Sequence, residues 1–309
     1  MTRILITGGA GMVGRALAEA LPREDVITTD LARGDLPENV RFRRMDVTGD
    51  DPEDVIGEER PDVVVHLASI VTPPPGMSRE QAYEVDVIGT RKVLDACVAH
   101  GVRRLVVTSS GAAYGYHPDT PVPLTEEAPC RGNAEFAYAD HKRQVEDMLA
   151  AARQGFPHLE QVVLRAGTVL GAGTDNQITA LFHRKRLLAI RNSDSPFVFI
   201  WTHDLARIVK RAATDGPPGI FNVAGDGWLS VDEIAKTLGK PVLRLPAWVL
   251  KGALALAHPL GLTQYGPEQV RFLQYRPVLS NERLKREFGY TPELTSAEVF
   301  DRWKREAGL

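Results

Sequence analysis

The stretch Thr7-Gly8-Gly9-Ala10-Gly11-Met12-Val13-Gly14 decides how this chain reads. It follows a β-branched apolar run at residues 4–7 and leads into a helical pattern, so it is a strand-to-helix turn. Its glycines fall in GxxGxxG spacing. Glycine permits the tight turn, lets backbone N–H groups approach a pyrophosphate, and lets the helix lie against the sheet. The N-terminus of that helix favours the phosphate charge. On its own this is a turn and nothing more. Its partner is Asp30, which ends the next strand-like run sixteen residues beyond Gly14. A carboxylate there accepts from both hydroxyls of a ribose and repels a 2′-phosphate. Together the two features predict a dinucleotide site that takes NAD rather than NADP. Arg33 is the opposing residue, since an arginine nearby can hold a 2′-phosphate. Asp46-Val47, after a third short run, is placed to reach the adenine.

Outward from the turn, apolar runs at 4–7, 26–30, 63–67, 105–108 and 162–165 alternate with helical patterns, clearest at 81–100 and 138–153. Runs that are apolar throughout read as strands buried on both faces. Strand–helix alternation then predicts an α/β fold, a doubly wound parallel sheet. Beyond residue 166 the pattern loosens. Residues 171–200 read as loop and helix, and 219–225 as a strand returning to the core. Capping boxes at Ser230-Val231-Asp232-Glu233 and Thr295-Ser296-Ala297-Glu298 begin helices. The expected organisation is a core of residues 1–166, rejoined by 204–225, and a smaller, mostly helical substrate lobe of 167–203 and 226–309.

Bulk properties narrow the classes. With 43% hydrophobic and 25% charged residues, the 309-residue chain has an ordinary globular balance. A formal net charge of −3 argues against a nucleic-acid binder. Cys97 and Cys130 are the two cysteines, in neither a disulfide framework nor a metal-ligand spacing, so no metal is expected and the setting reads as reducing and cytoplasmic. The most apolar segment, 246–262, is interrupted by Lys251, His258 and Pro259. It is too short and broken to span a bilayer and reads first as an amphipathic helix, with a membrane or substrate-entry role as the alternative.

The chemistry enters with Tyr138-Ala139-Asp140-His141-Lys142. On a helix, Tyr138 and Lys142 lie one turn apart on one face. The buried run 105–108 leads into Ser109-Ser110 at a strand's C-terminal end, where doubly wound sheets hold ligands. A free tyrosine has a pKa of about 10, and a neighbouring ammonium favours its anion. A serine beside it can hold a substrate oxygen. The set suits proton transfer coupled to hydride transfer at a hydroxyl-bearing carbon.

These motifs together resemble the extended short-chain dehydrogenase/reductase family, the NAD-dependent epimerase/dehydratase group with its Rossmann-type core. The likeness covers most of the chain: TGGAGMVG at 7–14, Asp30, His66-Leu67-Ala68, Gly89-Thr90, TSSGAAYG at 108–115, YADHK at 138–142, Leu164-Arg165, His203-Asp204-Leu205-Ala206, FNVAGDGWLSVDEIA at 221–235 and the SNERLKREFGYTP run. It implies Ser110, Tyr138 and Lys142 as the catalytic triad, with Ser110 chosen because it lies four residues before Tyr114. It implies NAD contacts from Gly8, Gly11, Met12, Val13, Gly14, Asp30, Leu31, Asp46, Val47, Leu67, Ala68, Ser69, Tyr138 and Lys142. It also implies a homodimer paired through the helices at 81–100 and 138–153.

The departures from the family pattern bear on substrate. Asp86, within Val85-Asp86-Val87-Ile88-Gly89-Thr90, stands where the family often has asparagine; it is structural or it contacts substrate. Thr168 stands where UDP-sugar epimerases carry asparagine. Where they carry an arginine for the pyrophosphate, this chain has Pro196-Phe197-Val198-Phe199-Ile200-Trp201. Losing that arginine removes the natural partner of a diphosphate. Arg184, Arg186 and Arg276 are the cations left to meet one from another direction. Phe197, Phe199 and Trp201 read first as core packing. The loop Val71-Thr72-Pro73-Pro74-Pro75-Gly76 either walls a substrate pocket or is a rigid loop without contact. The expected substrate is a small molecule bearing a hydroxyl or carbonyl, either oxidised or reduced outright or epimerised with NAD retained. A protein that holds NAD(H) without turnover is the non-enzymatic alternative. Dehydration ranks lower, because Gly111-Ala112-Ala113 after Ser110 offers no further acid or base.

Overall fold

The computed structural model describes residues 2–22, 24–74, 76–263 and 266–309. The N-terminal part runs β1 (Arg3–Thr7), α1 (Met12–Ala20), β2 (Asp25–Asp30), β3 (Arg41–Arg44), α2 (Asp51–Glu59), β4 (Val63–His66), α3 (Arg79–Tyr83), a π-helical segment (Glu84–Gly89), α4 (Thr90–Ala99), β5 (Arg104–Ser110), α5 (Ala137–Gly155) and β6 (Glu160–Ala166). It continues with β7 (Thr168–Leu170), α6 (Gln177–His183), β8 (Leu187–Ile190), β9 (Phe199–Trp201), α7 (Thr202–Ala213) and β10 (Gly219–Val223). The C-terminal part holds α8 (Val231–Leu238), β11 (Val242–Leu245), α9 (Ala247–Ala257), α10 (Gln269–Gln274), α11 (Glu282–Arg286) and α12 (Ser296–Glu306).

Seven strands form one sheet in the order β10-β6-β5-β4-β1-β2-β3, with every pairing parallel. The order reverses between β1 and β4, which makes their carboxyl ends the topological switch point where such sheets hold ligands. Ile4, Leu5, Ile6, Val63, Val64 and Val65 are all fully buried, as strands covered on both faces must be. One core lies under α1 and α7, the other under α2, α4 and α5.

Two sequence expectations change in detail. The helix expected at 81–100 begins at Arg79 and is interrupted by the π turn, in which the Thr90 hydroxyl donates to the Asp86 carbonyl at 2.6 Å. The 171–200 stretch, read as loop and helix, also contains β8 and most of β9. These strands are very short, and their partners, β11 and β7, lie elsewhere in the chain, so no local period marks them. Helix α5 is fixed to the sheet by Arg165 of β6. That guanidinium donates to both oxygens of Glu146 at 2.9 and 3.0 Å, and to the Tyr114 hydroxyl at 2.9 Å. Both partners of the ion pair are buried, so the position of α5 against β6 is strongly set.

Candidate active site

The glycine turn is built to bring backbone close to whatever occupies the switch point. Gly8 has φ +68°, and a Cβ there would lie 2.7 Å from the Ala68 nitrogen, at the end of β4. A Cβ on Gly14 would lie 2.6 Å from Gly9 Cα and 2.7 Å from the Gly8 carbonyl oxygen, so the helix sits on its own turn. Helix α1 starts at Gly11 with no side-chain cap, leaving its first N–H groups for a ligand. Asp30 ends β2 beside them: its Oδ2 accepts from Ala10 N at 3.1 Å and its Oδ1 from Leu31 N at 2.8 Å. The Leu31 side chain is exposed.

Arg33 does not stand free. Its Nη2 donates to the carbonyls of Pro37 and Val40 at 2.6 and 3.0 Å, holding its own loop. Asp46 accepts from both the backbone N–H and the hydroxyl of Thr48, which hold its carboxyl below the usual range. Val47 is buried against the neighbouring core.

A cavity of about 990 Å³ opens at the carboxyl edge of the sheet. Ser110, Tyr138 and Lys142 all line it, together with Met12, Val13, Leu67 and Ser69. The three triad candidates come from two elements, β5 and α5. Lys142 is nearly fully buried; its Nζ donates to the Thr108 carbonyl at 3.1 Å and lies 5.7 Å from the centre of the Tyr138 ring. Ser110 Oγ accepts from Ala112 N at 3.1 Å.

Behind this edge lies a buried polar network that the sequence does not reveal. Asp86 Oδ1 accepts from the Ser69 hydroxyl and the Ile70 N–H, each at 2.8 Å, and Oδ2 lies 3.1 Å from His141 Nδ1. The carboxylate only accepts, so His141 Nδ1 carries the proton. Burial pushes the Asp86 carboxyl upward; the His141 bond, the Lys142 charge and the Ile70 and Ser69 donors outweigh it and leave it below the ordinary range. Asp86 therefore fixes the loop after β4, whose Ser69 and Ile70 line the cavity, against α5.

His66 is satisfied in one tautomer. The Thr90 hydroxyl donates to the Asp86 carbonyl, so its oxygen accepts from His66 Nε2 at 2.9 Å. His66 Nδ1 then accepts from the Thr7 hydroxyl at 2.7 Å. Burial and the Lys142 charge push this imidazole down to about 3, so it is neutral.

Toward the C-terminal part the cavity is walled by Phe136, Val198, Leu250, Leu254, Phe272 and Leu279 among others. Thr168 also lines it. Phe199 packs in a buried cluster with Phe182, Phe300 and Trp303, as core packing requires, and Trp201 lies partly buried at its border. Phe197 belongs to that cluster and also faces the cavity. Of the three arginines, Arg184 and Arg186 are exposed, whereas Arg276 lines the cavity. Its guanidinium lies 3.7 Å from the Phe197 ring centre, and its Nη1 is buried without a partner. Burial lowers its pKa to about 9. Val71, Thr72 and Pro73 line the cavity too, so this part of the proline loop does wall it; Pro75 lies outside the described residues.

A family model, the NAD dependent epimerase/dehydratase family, matches residues 4–224. The chain belongs to this family. The epimerase/dehydratase match spans every strand of the parallel sheet but Arg3 of β1. Among relatives, a sterol-4-alpha-carboxylate 3-dehydrogenase (decarboxylating) from Saccharomyces cerevisiae is 27% identical, covering 94% of this chain and 93% of its own length. An uncharacterized protein from Mycobacterium tuberculosis is 26% identical over 99% of this chain and 84% of its own. Among solved structures, the UDP-glucose 4-epimerase of Thermus thermophilus in complex with NAD superposes with a TM-score of 0.74 at 25% identity, covering 98% of both chains. The UDP-glucose 4-epimerase of Thermotoga maritima with UDP-glucose reaches 0.77 at 19% identity, covering 99% of this chain and 98% of that one, a likeness of fold. The protein is thus an NAD-dependent enzyme of the epimerase/dehydratase family. The Gly8–Gly14 cradle, the uncapped α1 and Asp30 fit the cofactor.

Proposed function

We propose that this epimerase/dehydratase family enzyme moves a hydride at a hydroxyl-bearing carbon of a compact, mainly apolar substrate, with Tyr138 as acid/base. The observation that carries the reading is one cavity in which Ser110, Tyr138 and Lys142 share an edge and apolar side chains supply most of the remaining wall. NAD, when bound, supplies the hydride acceptor or donor. Ser110 donates its hydroxyl proton to the substrate oxygen and holds that oxygen beside Tyr138. In oxidation, the Tyr138 oxygen takes the hydroxyl proton as the carbon loses its hydride; in reduction it returns that proton. Lys142, anchored by Thr108 and one helical turn from Tyr138, has further donors for the nicotinamide ribose.

For the cofactor, the turn of Gly8, Gly11 and Gly14 with Met12 and Val13 would hold the pyrophosphate, and Asp30 with Leu31 the adenosine ribose. Asp46 and Val47 would meet the adenine, and Leu67, Ala68 and Ser69 the middle of the dinucleotide. Arg33, occupied by its own loop carbonyls, supports NAD over NADP. The working division is a core of 1–166 with 204–225, and a substrate lobe of 167–203 with 226–309. A cytoplasmic homodimer pairing α4 and α5 completes the reading; sedimentation velocity showing only monomer would reject the dimer.

A second reading, nucleotide-sugar epimerisation with retained NAD, is favoured by one observation. Arg276 presents a buried cation with an unpartnered Nη1 at the cavity wall, which suits a phosphate. The test incubates the enzyme and NAD with apolar secondary alcohols on one side and UDP-glucose on the other. Net NADH from the alcohols supports the first reading. Product from UDP-glucose without net NADH overturns it in favour of the second.

A further inference from the structure

Helix α9 breaks the rule that an all-round apolar helix is buried. Its sequence, AWVLKGALALA, has one charge in eleven residues, yet none of its residues is buried. Leu250 and Leu254 turn inward to the cavity wall and pack near α10. The opposite face is open: Trp248 is 76% exposed and Leu256 73%, and just beyond the helix Leu260 and Leu262 are 71% and 76% exposed. With Leu243 of β11, five of the ten exposed large hydrophobic side chains among the described residues fall between 243 and 262. Single exposed leucines need no explanation, but a contiguous set does.

Within the segment that carries this face the charge is one-sided. From Ile234 to Pro267 the chain has no aspartate or glutamate, but it has Lys236, Lys240, Arg244 and Lys251. The neighbouring β8, paired with β11, is flanked by Arg184, Lys185, Arg186 and Arg191. Arg244 is paired with Asp232, and the Lys240 Nζ donates to the Phe182 carbonyl. Arg184, Lys185, Arg186, Arg191 and Lys251 make no ion pair among the described residues. This cationic rim sits on a protein whose net charge is −3.

We propose that α9 and the segment to Leu262 form a docking face for an anionic lipid surface. Apolar side chains with tryptophan at the boundary, basic residues around them and no carboxylate between are the chemistry that recognises a bilayer interface. The helix is too short to span, and no helix among the described residues is long and apolar enough to cross a membrane, so it lies in the interface plane. Its inner face walls the cavity, so docking sets the cavity mouth beside the lipid. The inference rests on the exposed face and its charges, not on the identity of the reaction.

The test is co-sedimentation of the full chain with vesicles of phosphatidylcholine alone and of phosphatidylcholine mixed with phosphatidylglycerol. The expected result is salt-sensitive binding to the anionic vesicles, weakened about tenfold or more by Trp248→Glu with Leu256→Glu, and also by Arg191→Glu with Lys251→Glu. These side chains are exposed, and thermal melting checks that the variants fold. As a second measurement, brominated lipid should quench wild-type fluorescence more than that of Trp248→Phe. No binding to either vesicle, or binding that both variant pairs leave unchanged, overturns the proposal. So does a lipid-free dimer that Trp248→Glu with Leu256→Glu dissociates, since the face would then belong to a second copy of the chain.

Discussion

The Asp86 carboxylate and the His141 imidazole lie 3.1 Å apart with side chains only 1% exposed. Asp86 also holds Ser69 and Ile70, so one carboxylate joins the loop after β4 to the helix that carries Tyr138 and Lys142. Asp86→Ala should cost about 3–5 kcal/mol of unfolding free energy, because it strands the buried His141 donor and the part-buried Ser69 and Ile70 donors. Asp86→Asn keeps an acceptor for Ser69 and Ile70 and should cost about 1–2 kcal/mol. Denaturant unfolding of both variants checks this; equal losses would show that the donors do not depend on that oxygen.

Acid should weaken the fold through His66. Its folded pKa, about 3, lies below the ordinary 6.5, so the unfolded chain binds the extra proton between those values. Stability is therefore full above pH 6.5 and falls as pH drops, by up to roughly 1.4 kcal/mol per pH unit from this group. Asp86, held below its ordinary range, contributes in the same direction. Unfolding measured across this range, with His66→Gln as control, checks the sign: the variant should show a shallower slope.

Gly14→Ala should destabilise the protein by about 1–3 kcal/mol, since the new Cβ meets backbone atoms that cannot move aside. NAD affinity should fall with it, because the same backbone forms the turn. Thermal melting with and without NAD checks both; an unchanged midpoint would mean that the turn relaxes.

Asp30→Ala should weaken NAD about tenfold, a loss of about 1.4 kcal/mol, while narrowing the preference over NADP. Calorimetric titration of both nucleotides checks it. Arg33→Ala should leave NADP binding weak, because Arg33 already serves the Pro37 and Val40 carbonyls.

Much of this was legible because it is local. The apolar runs at 4–7, 63–67 and 105–108 are buried strands by composition alone, and GxxGxxG followed by Asp30 is a turn and its partner within one strand-helix-strand unit. Tyr138 and Lys142 are one helical turn apart, so their spacing carries their geometry. The Asp86–His141 pair was not legible, because its members lie 55 residues apart and meet only through packing. The tautomer of His66 depends on hydroxyls from two other elements, Thr7 of β1 and Thr90 of α4. The 246–262 segment was expected to be amphipathic; its helix is shorter, Ala247–Ala257, and its outer face exposes Trp248 and Leu256 beside Lys251. A hydrophobic pattern shows which residues avoid water, not what covers them.

The central claim is that Tyr138 exchanges the proton while the glycine turn and Asp30 supply most of the hold on NAD. The measurement is turnover of Tyr138→Phe on a substrate that the wild type converts, alongside calorimetric NAD binding. Turnover should fall by about two orders of magnitude or more, with NAD affinity within a few-fold of wild type. Turnover unchanged with NAD still bound would contradict the account.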